Sequence, residues 1–433
     1  MKYGLIGGKL GHSFSRELHA KIADYEYELQ ELAPGELGPF LQARDFCGIN
    51  VTIPYKQAVI PYLDGLSERA RRIGAVNTII NRGGRLWGEN TDYWGLRALL
   101  ERLTVTVAGK KVLILGTGGT AHTAKTVLED LGASDIVQVS RSKKNGAVTY
   151  EQLSSGQMQG ELLLNTTPVG MAGFCRVTEA KHTIGSEGYY FDLAADNDFS
   201  RPADLRNIPG LQGVVDVIYN PLRTDLVLQA RQLGLPAAGG LYMLAGQAVY
   251  ASALFRNVVA GRRVTDRVYQ EFLYDKENLV LIGMPGCGKS TLGAALAPRL
   301  GKRFIDTDEV LQNQLGCSPG DYIRCQGEAA FRQAETAVID RISGEHSCVI
   351  ATGGGAVLAD RNVRKLRHNG RLYFLDRSLE RLAVSSDRPL SASPQQLQAL
   401  YAQRRPHYLE VADVVVAADG SVEQVINGIL GGR

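Results

Sequence analysis

The chain has 433 residues, 44% of them hydrophobic and 21% charged, with a formal net charge of +3. At roughly 150 residues per domain, that length predicts about three domains, each able to bury its own core. A charge so small and so evenly spread argues against nucleic acid or an anionic membrane surface as partner, and leaves small molecules.

Six cysteines (Cys47, Cys175, Cys287, Cys317, Cys325 and Cys348) form no CxxC pair. They are too sparse for a disulfide framework and read as reduced thiols without a zinc site. The opening MKYGLIGGKLGHS lacks the apolar core of a signal peptide, and no apolar run approaches the ~20 residues of a membrane span. The expectation is a cytoplasmic protein.

In chain order, Tyr3 to Gly7 reads as a short buried strand running into a loop that presents Ser13 and Ser15 before a helix starting near Arg16. Ser-x-Ser in that position is, by itself, an ordinary N-cap pattern. Cys47 to Pro54 reads as a second strand, delivering Asn50, Thr52 and then Lys56 at its C-terminal end. Gly74 to Ile79 and Gly88 to Asp92 repeat the arrangement of apolar strand and polar tip, with Asn77 and Asp92 at the tips. Open α/β sheets bind ligands at strand C-terminal ends. Lys56 or Asp92 alone would read as a solvated surface charge.

Ser-x-Ser, NVTIPYK, GAVNT and NTDYWG, in this order, resemble the substrate half of the shikimate dehydrogenase family. The resemblance implies that Ser13, Ser15, Thr52, Asn77 and Asp92 bind the hydroxyls and carboxylate of shikimate, with Lys56 and Asp92 as the catalytic pair. Those residue types suit the chemistry. Hydride transfer to a ketone leaves an alkoxide, which an adjacent ammonium can stabilise and protonate, while a carboxylate keeps that ammonium charged and oriented. Arg16 departs from the family's proline after the second serine.

Lys110 to Leu115 is a buried-strand run followed by the Gly-rich turn Gly116, Thr117, Gly118, Gly119 and Thr120, which opens a helix: a Rossmann-type beginning. The next strand, Ile136 to Val139, ends about twenty residues on, where NAD enzymes carry an acidic residue. Here Ser140, Arg141, Ser142 and Lys144 follow instead, hydroxyls and cations that suit the 2′-phosphate of NADP. Asn165 to Met171, NTTPVGM, resembles the loop near the nicotinamide. The segments DVIYNPLRTDLVLQARQLG and GGLYMLAGQAVYASALF resemble the family's closing part, which implies Tyr219 and Gln247 on the substrate and Gly240 near the nicotinamide. Arg262 to Asn278 is charged and lacks a glycine or proline spacer, so it reads as a helix end joining two domains.

Gly283 to Thr291, GMPGCGKST, fits the phosphate-binding pattern GxxxxGKS/T without a gap, between the apolar run Leu279 to Ile282 and the helix-spaced Leu292 to Leu300. Gly286, Cys287, Gly288, Lys289, Ser290 and Thr291 would hold ATP, Lys289 reaching the β/γ-phosphates and Ser290 magnesium. The order that follows, RFIDTDEVL, GEAAFRQAE, CVIATGGGAVL, DRPLS and RRPHY, resembles shikimate kinase. The resemblance implies Asp306 in the magnesium shell, Asp308 on the acceptor hydroxyl, Arg332 and Arg404 on the shikimate carboxylate, Gly353, Gly354 and Gly355 against its ring, and Arg388 as a lid residue on ATP. The lid is shorter than the family's usual one, and Ser391 replaces a common leucine.

The sequence thus predicts an α/β protein: a substrate domain over 1–104 and 239–268, an NADP-binding Rossmann domain over 105–238, and a P-loop kinase domain over 278–433. The expected cofactors are NADP, ATP and magnesium, and the expected substrates are 3-dehydroshikimate and shikimate. Two alternatives stay open: one half is catalytically silent, or the dehydrogenase half prefers quinate.

Overall fold

The computed structural model describes residues 2–11, 13–141, 146–172, 201–382 and 393–431. They form two compact units, Met1–Leu273 and Tyr274–Arg433.

The first unit contains two six-stranded sheets. In one, Tyr3–Gly7 lies parallel between Glu28–Glu31 and Gly48–Val51, and Thr78–Arg82 joins Gly48–Val51 in the antiparallel sense. Arg85–Glu89 pairs back on Thr78–Arg82, and Gly65–Leu66 completes the edge. This direction corrects one expectation. Asn77 sits before its strand rather than after it, because a strand running antiparallel brings its N-terminal end to where its parallel neighbours have their C-terminal ends. The first helix begins at Ser15, one residue before the expected Arg16, and the second strand is the shorter Gly48–Val51.

The second sheet is wholly parallel, in the order Ala237–Ala238, Gly213–Asp216, Leu162–Asn165, Lys111–Leu115, Asp135–Ser140, Val148–Thr149. Its central strands Lys111–Leu115 and Leu162–Asn165 carry apolar runs without alternation, and Val112 to Leu115 and Leu162 to Leu164 are fully buried, as strands covered on both faces must be. The chain leaves Lys111–Leu115 through Gly116, at φ 108°, at the point where strand order reverses, the usual crevice for a dinucleotide.

Two helices, Asp92–Arg102 and Leu241–Arg256, cross so closely that a Cβ on Gly95 would stand 2.3 Å from Met243 O, and one on Gly246 3.1 Å from Gly95 Cα. Only glycine permits that approach. It brings the first turn of one helix and Gln247 of the other to the same cavity.

Arg262–Lys276 is a helix of 15 residues, longer than the helix end expected for the connector. In the second unit a parallel sheet runs Arg303–Asp306, Cys348–Ala351, Asn278–Ile282, Gly370–Asp376, Val414–Ala417. The Asn278–Ile282 strand is buried throughout and feeds the Gly-rich loop into the helix Lys289–Arg299. Gly286 and Gly288 adopt φ 81° and 96°, left-handed backbone that turns successive N–H groups inward and that a side chain would oppose. Cys47, Cys287, Cys317, Cys325 and Cys348 are free thiols, and Cys175 lies outside the described residues. Among the described residues no helix is long and apolar enough to cross a membrane.

Candidate functional site

In the first unit a cavity of about 310 Å³ is lined by Ser13, Ser15, Thr52, Lys56, Asn77, Asp92, Tyr219 and Gln247, together with Thr120 and Gly240. Residues far apart in sequence thus share one wall. Lys56 Nζ donates to Asp92 Oδ2 at 2.7 Å, with both side chains mostly shielded from solvent. Asp92 opens its helix, where the helix dipole favours a carboxylate. Ser13 Oγ accepts from Ser15 N and donates to Ser15 Oγ at 3.1 Å, so the pair is a local turn and a cavity wall together.

Asn77 is held by its oxygen. Oδ1 accepts from Thr91 N at 2.6 Å, Thr78 Oγ1 at 3.1 Å and Thr91 Oγ1 at 3.2 Å. The amide nitrogen is therefore the group Asn77 offers to the cavity. Behind it, buried Asn50 accepts from Tyr27 Oη at 2.7 Å and donates to Asn77 O and Thr78 Oγ1. Asn50, expected at its strand's C-terminal end, also lines the cavity, as do Lys9 and Met243, which belong to no motif singled out above.

Beside it, a groove of about 320 Å³ is lined by Gly116, Thr117, Gly118 and Arg141, with Thr166, Thr167, Tyr150 and Arg201 opposite. A Cβ built on Gly118 or Gly119 would meet nothing within 4 Å. These glycines thus keep a backbone face open to a ligand rather than serve internal packing, and the turn fits a dinucleotide pyrophosphate. Thr120 and Gly240, expected on the cofactor, line the substrate cavity, so the glycine turn borders both spaces. Ser142 and Lys144 lie outside the described residues. Tyr150 and Arg201 were missed, being remote in sequence from any motif.

In the second unit, Lys289 is buried and its ammonium donates to Gly283 O and Met284 O, both at 2.9 Å. Ser290 and Thr291 are exposed in the first turn of the helix that follows. Asp306 caps the helix Thr307–Leu315, its Oδ1 accepting from Asp308 N at 2.9 Å and from Glu309 N at 3.4 Å. Its other oxygen makes no hydrogen bond among the described residues. One free carboxylate oxygen and one hydroxyl fit magnesium, which keeps most of its waters. Among the described residues no cluster of three or more His, Cys, Asp and Glu could hold a metal ion.

Gly353 and Gly355 press against charged residues, and Gly354 against Pro285. A Cβ on Gly353 would stand 2.6 Å from Glu335 Oε1 and 2.7 Å from Asp308 Oδ1, and one on Gly355 2.3 Å from Arg332 Nη1. Arg332 pairs with Glu335 at 2.7 Å and Glu328 at 3.1 Å. Burial pushes the Glu335 carboxyl above its ordinary range, against the pull of Arg332 and Arg404. Arg404 is itself buried on the helix Pro394–Val411, and its Nε has no hydrogen-bond partner among the described residues. Tyr408, one turn on, donates to Gly354 O. Arg405, facing the other way, pairs with Asp376 at 2.7 Å. Glu335 was missed, although it stands three residues after Arg332, where a helix makes neighbours. Arg388 lies outside the described residues.

A family model described as the shikimate dehydrogenase substrate binding domain matches residues 5–79, and one described as shikimate kinase matches residues 285–431. A shikimate dehydrogenase (NADP(+)) from Clostridium perfringens (strain 13 / Type A) is 34% identical over 286 residues, covering 62% of this chain and 97% of the relative. Among solved structures, a chorismate mutase/shikimate 5-dehydrogenase fusion protein from Clostridium acetobutylicum is 30% identical, with a TM-score of 0.54 over 62% of this chain and 96% of that one. A shikimate 5-dehydrogenase from Thermus thermophilus, solved in complex with NADP(H) and shikimate, is 26% identical, with a TM-score of 0.50 over 63% of this chain and 99% of that one.

Proposed function

The chain belongs to the shikimate dehydrogenase family over its first unit and carries a shikimate kinase domain in its second, and from that premise we propose that it catalyses two consecutive steps. It reduces 3-dehydroshikimate to shikimate with NADPH, then phosphorylates shikimate with ATP, on the way to chorismate. The observation that carries the first step is the Lys56–Asp92 pair, 2.7 Å apart on the wall of the cavity.

Bound NADPH supplies the hydride. Lys56 stabilises the charge developing on the substrate oxygen and gives it a proton, while Asp92 holds the ammonium charged and aimed. Ser13, Ser15, Thr52, Asn77, Tyr219 and Gln247 fix the ring by its hydroxyls and carboxylate. Arg141 neutralises the 2′-phosphate, which favours NADP over NAD.

In the second step the Lys289 ammonium turns from Gly283 O and Met284 O to the β/γ-phosphates. Asp308 orients the acceptor hydroxyl and takes its proton. Arg332 and Arg404 bind the shikimate carboxylate, a geometry that suits guanidinium. Ser290 and Asp306 would hold magnesium, which when bound neutralises phosphate charge.

The test is a single reaction with 3-dehydroshikimate, NADPH and ATP, following NADPH loss and ADP formation separately. Both should proceed, ADP after a lag. NADPH loss without ADP would make the kinase half silent, and faster turnover of quinate than shikimate in the oxidative direction would reassign the first cavity.

A further inference from the structure

Asp216 is a fully buried carboxylate to which the proposed chemistry gives no part. It ends the strand Gly213–Asp216, and its register partner on the neighbouring strand is Asn165, the last residue of Leu162–Asn165. Asp216 Oδ1 accepts from Asn165 Nδ2 at 3.0 Å and Ile218 N at 3.1 Å, and Oδ2 accepts from Thr224 Oγ1 at 2.6 Å.

Two of the three donors lead to a binding space, and the third, Thr224, caps the helix Asp225–Gln232. Asn165 Oδ1 accepts from Thr167 N at 3.0 Å and Thr167 Oγ1 at 2.7 Å, and Thr166 and Thr167 line the cofactor groove. On the other side, Ile218 O accepts from Gly240 N at 2.8 Å, and Val217, Tyr219 and Gly240 line the substrate cavity. Gly240 lies so close to this strand tip that a Cβ on it would stand 1.9 Å from Val217 O. One buried carboxylate is thus bonded into the walls of two binding spaces.

A charge-capable group is an expensive way to tie down a strand end, since burying a carboxylate costs several kcal/mol unless hydrogen bonds offset it. Burial does push the Asp216 carboxyl up to about 7, against the three hydrogen bonds. A carboxylate can take all three donors on two oxygens, Oδ1 accepting two and Oδ2 one.

Resting on the dehydrogenase reading, we propose that Asp216 is a positioning residue that holds the Thr166–Thr167 loop and the Val217–Tyr219 wall in register. Cofactor and substrate affinity then both depend on a side chain that touches neither ligand.

The parent protein is assayed first. If it does not oxidise NADPH with 3-dehydroshikimate, the dehydrogenase reading itself has failed. In an active parent, Asp216→Ala should raise KM for NADPH and for 3-dehydroshikimate together by about tenfold, with a smaller change in kcat, because buried donors lose their acceptor. Asp216→Asn should stay within about threefold of the parent on both. Its oxygen keeps the Asn165 and Ile218 bonds, and its NH2 can donate to Thr224 Oγ1, whose hydroxyl also accepts.

A residue that merely stabilised the fold would reduce the active fraction, lowering kcat with both KM values unmoved. That outcome overturns the proposal, as does a rise in only one KM or an Asn variant as impaired as the Ala variant. Should Asp216→Ala fail to fold, Asn165→Ala cuts the groove-side link, and with it the Asn165 Nδ2 bond to Val169 O in the same groove. It should raise the NADPH KM at least about threefold, and an unchanged value would overturn the proposal equally.

Discussion

The two lysines proposed to act in catalysis are kept in opposite ways. Lys56 is paired with a carboxylate, Asp92, across 2.7 Å in a partly open cavity, whereas Lys289 is buried and rests on two backbone carbonyls of its own loop. The difference follows from the charge each is to meet. A ketone is neutral, and its oxygen gains charge only as hydride arrives, so the ammonium beside it needs a standing counter-charge. A triphosphate brings its own. Carbonyl dipoles hold the Lys289 charge weakly enough that phosphate oxygens can take their place.

The sharpest way to break this comparison is to remove each lysine. Lys56→Ala should cost the reductase on the order of 10² to 10⁴ in rate and leave ATP-dependent phosphorylation of shikimate intact. Lys289→Ala should do the converse. Loss of both activities in either variant, with the fold retained by circular dichroism, would mean the sites are not separate.

Next in size is the second unit's charge cluster. Arg332→Ala leaves Glu335, with 3% of its side chain exposed, without its nearest cation. Breaking a buried pair from one side costs about 3–5 kcal/mol. We expect a lower melting temperature for this unit and a raised KM for shikimate, with the reductase unaffected. Arg332→Ala with Glu335→Gln should recover much of the stability and none of the affinity.

Smaller still is a pH effect in the first unit, where two buried groups pull in opposite directions. His19 is pushed down to about 3 by burial, so between about 6.5 and 3 the unfolded chain binds the proton the folded one refuses, and stability falls as pH falls. Asp216, pushed up to about 7, holds its proton in the folded state while the unfolded chain releases it above about 4, so stability falls as pH rises through that window. Between pH 5 and 6.5 the two slopes offset each other. In Asp216→Asn only the His19 slope remains, and acidification across those 1.5 units should cost about 2 kcal/mol more than in the parent. Equal pH dependence of the first unit's melting temperature would refute the assignment. Least of all, Arg141→Ala should erode the preference for NADPH over NADH by about tenfold, the scale of one exposed charge contact.

Much of this was legible in the sequence because central parallel strands such as Lys111–Leu115, Leu162–Asn165 and Asn278–Ile282 carry unbroken apolar runs and the phosphate-binding turns need glycine. Tyr3–Gly7 was read to its ends, and the apolar run before the P-loop to within one residue. The side on which Asn77 stands was not read, although a signal existed. Gly83 and Gly84, both at positive φ, join Thr78–Arg82 to Arg85–Glu89 in a two-residue hairpin, and a Gly-Gly pair between two such runs is a hairpin mark. Asn50 was placed at its strand tip, but its partners, like those of Glu335, were hidden for another reason. Their roles lie in hydrogen bonds and ion pairs to groups already singled out, and a buried polar side chain declares its partner only once the chain has folded.

The crossing at Gly95 and Gly246 bears on anyone who would stabilise this protein. Replacing a helical glycine with alanine is a routine gain, worth roughly 0.5–1 kcal/mol where space allows. Here the new methyl would land on Met243 O, and the helices could relieve it only by parting. Gly95 lies within the first turn that Asp92 opens, so parting them carries Asp92 away from Lys56. The routine gain is thus reversed at that point: Gly95→Ala should lower the melting temperature of the first unit and, by displacing Asp92, its proposed reductase turnover together.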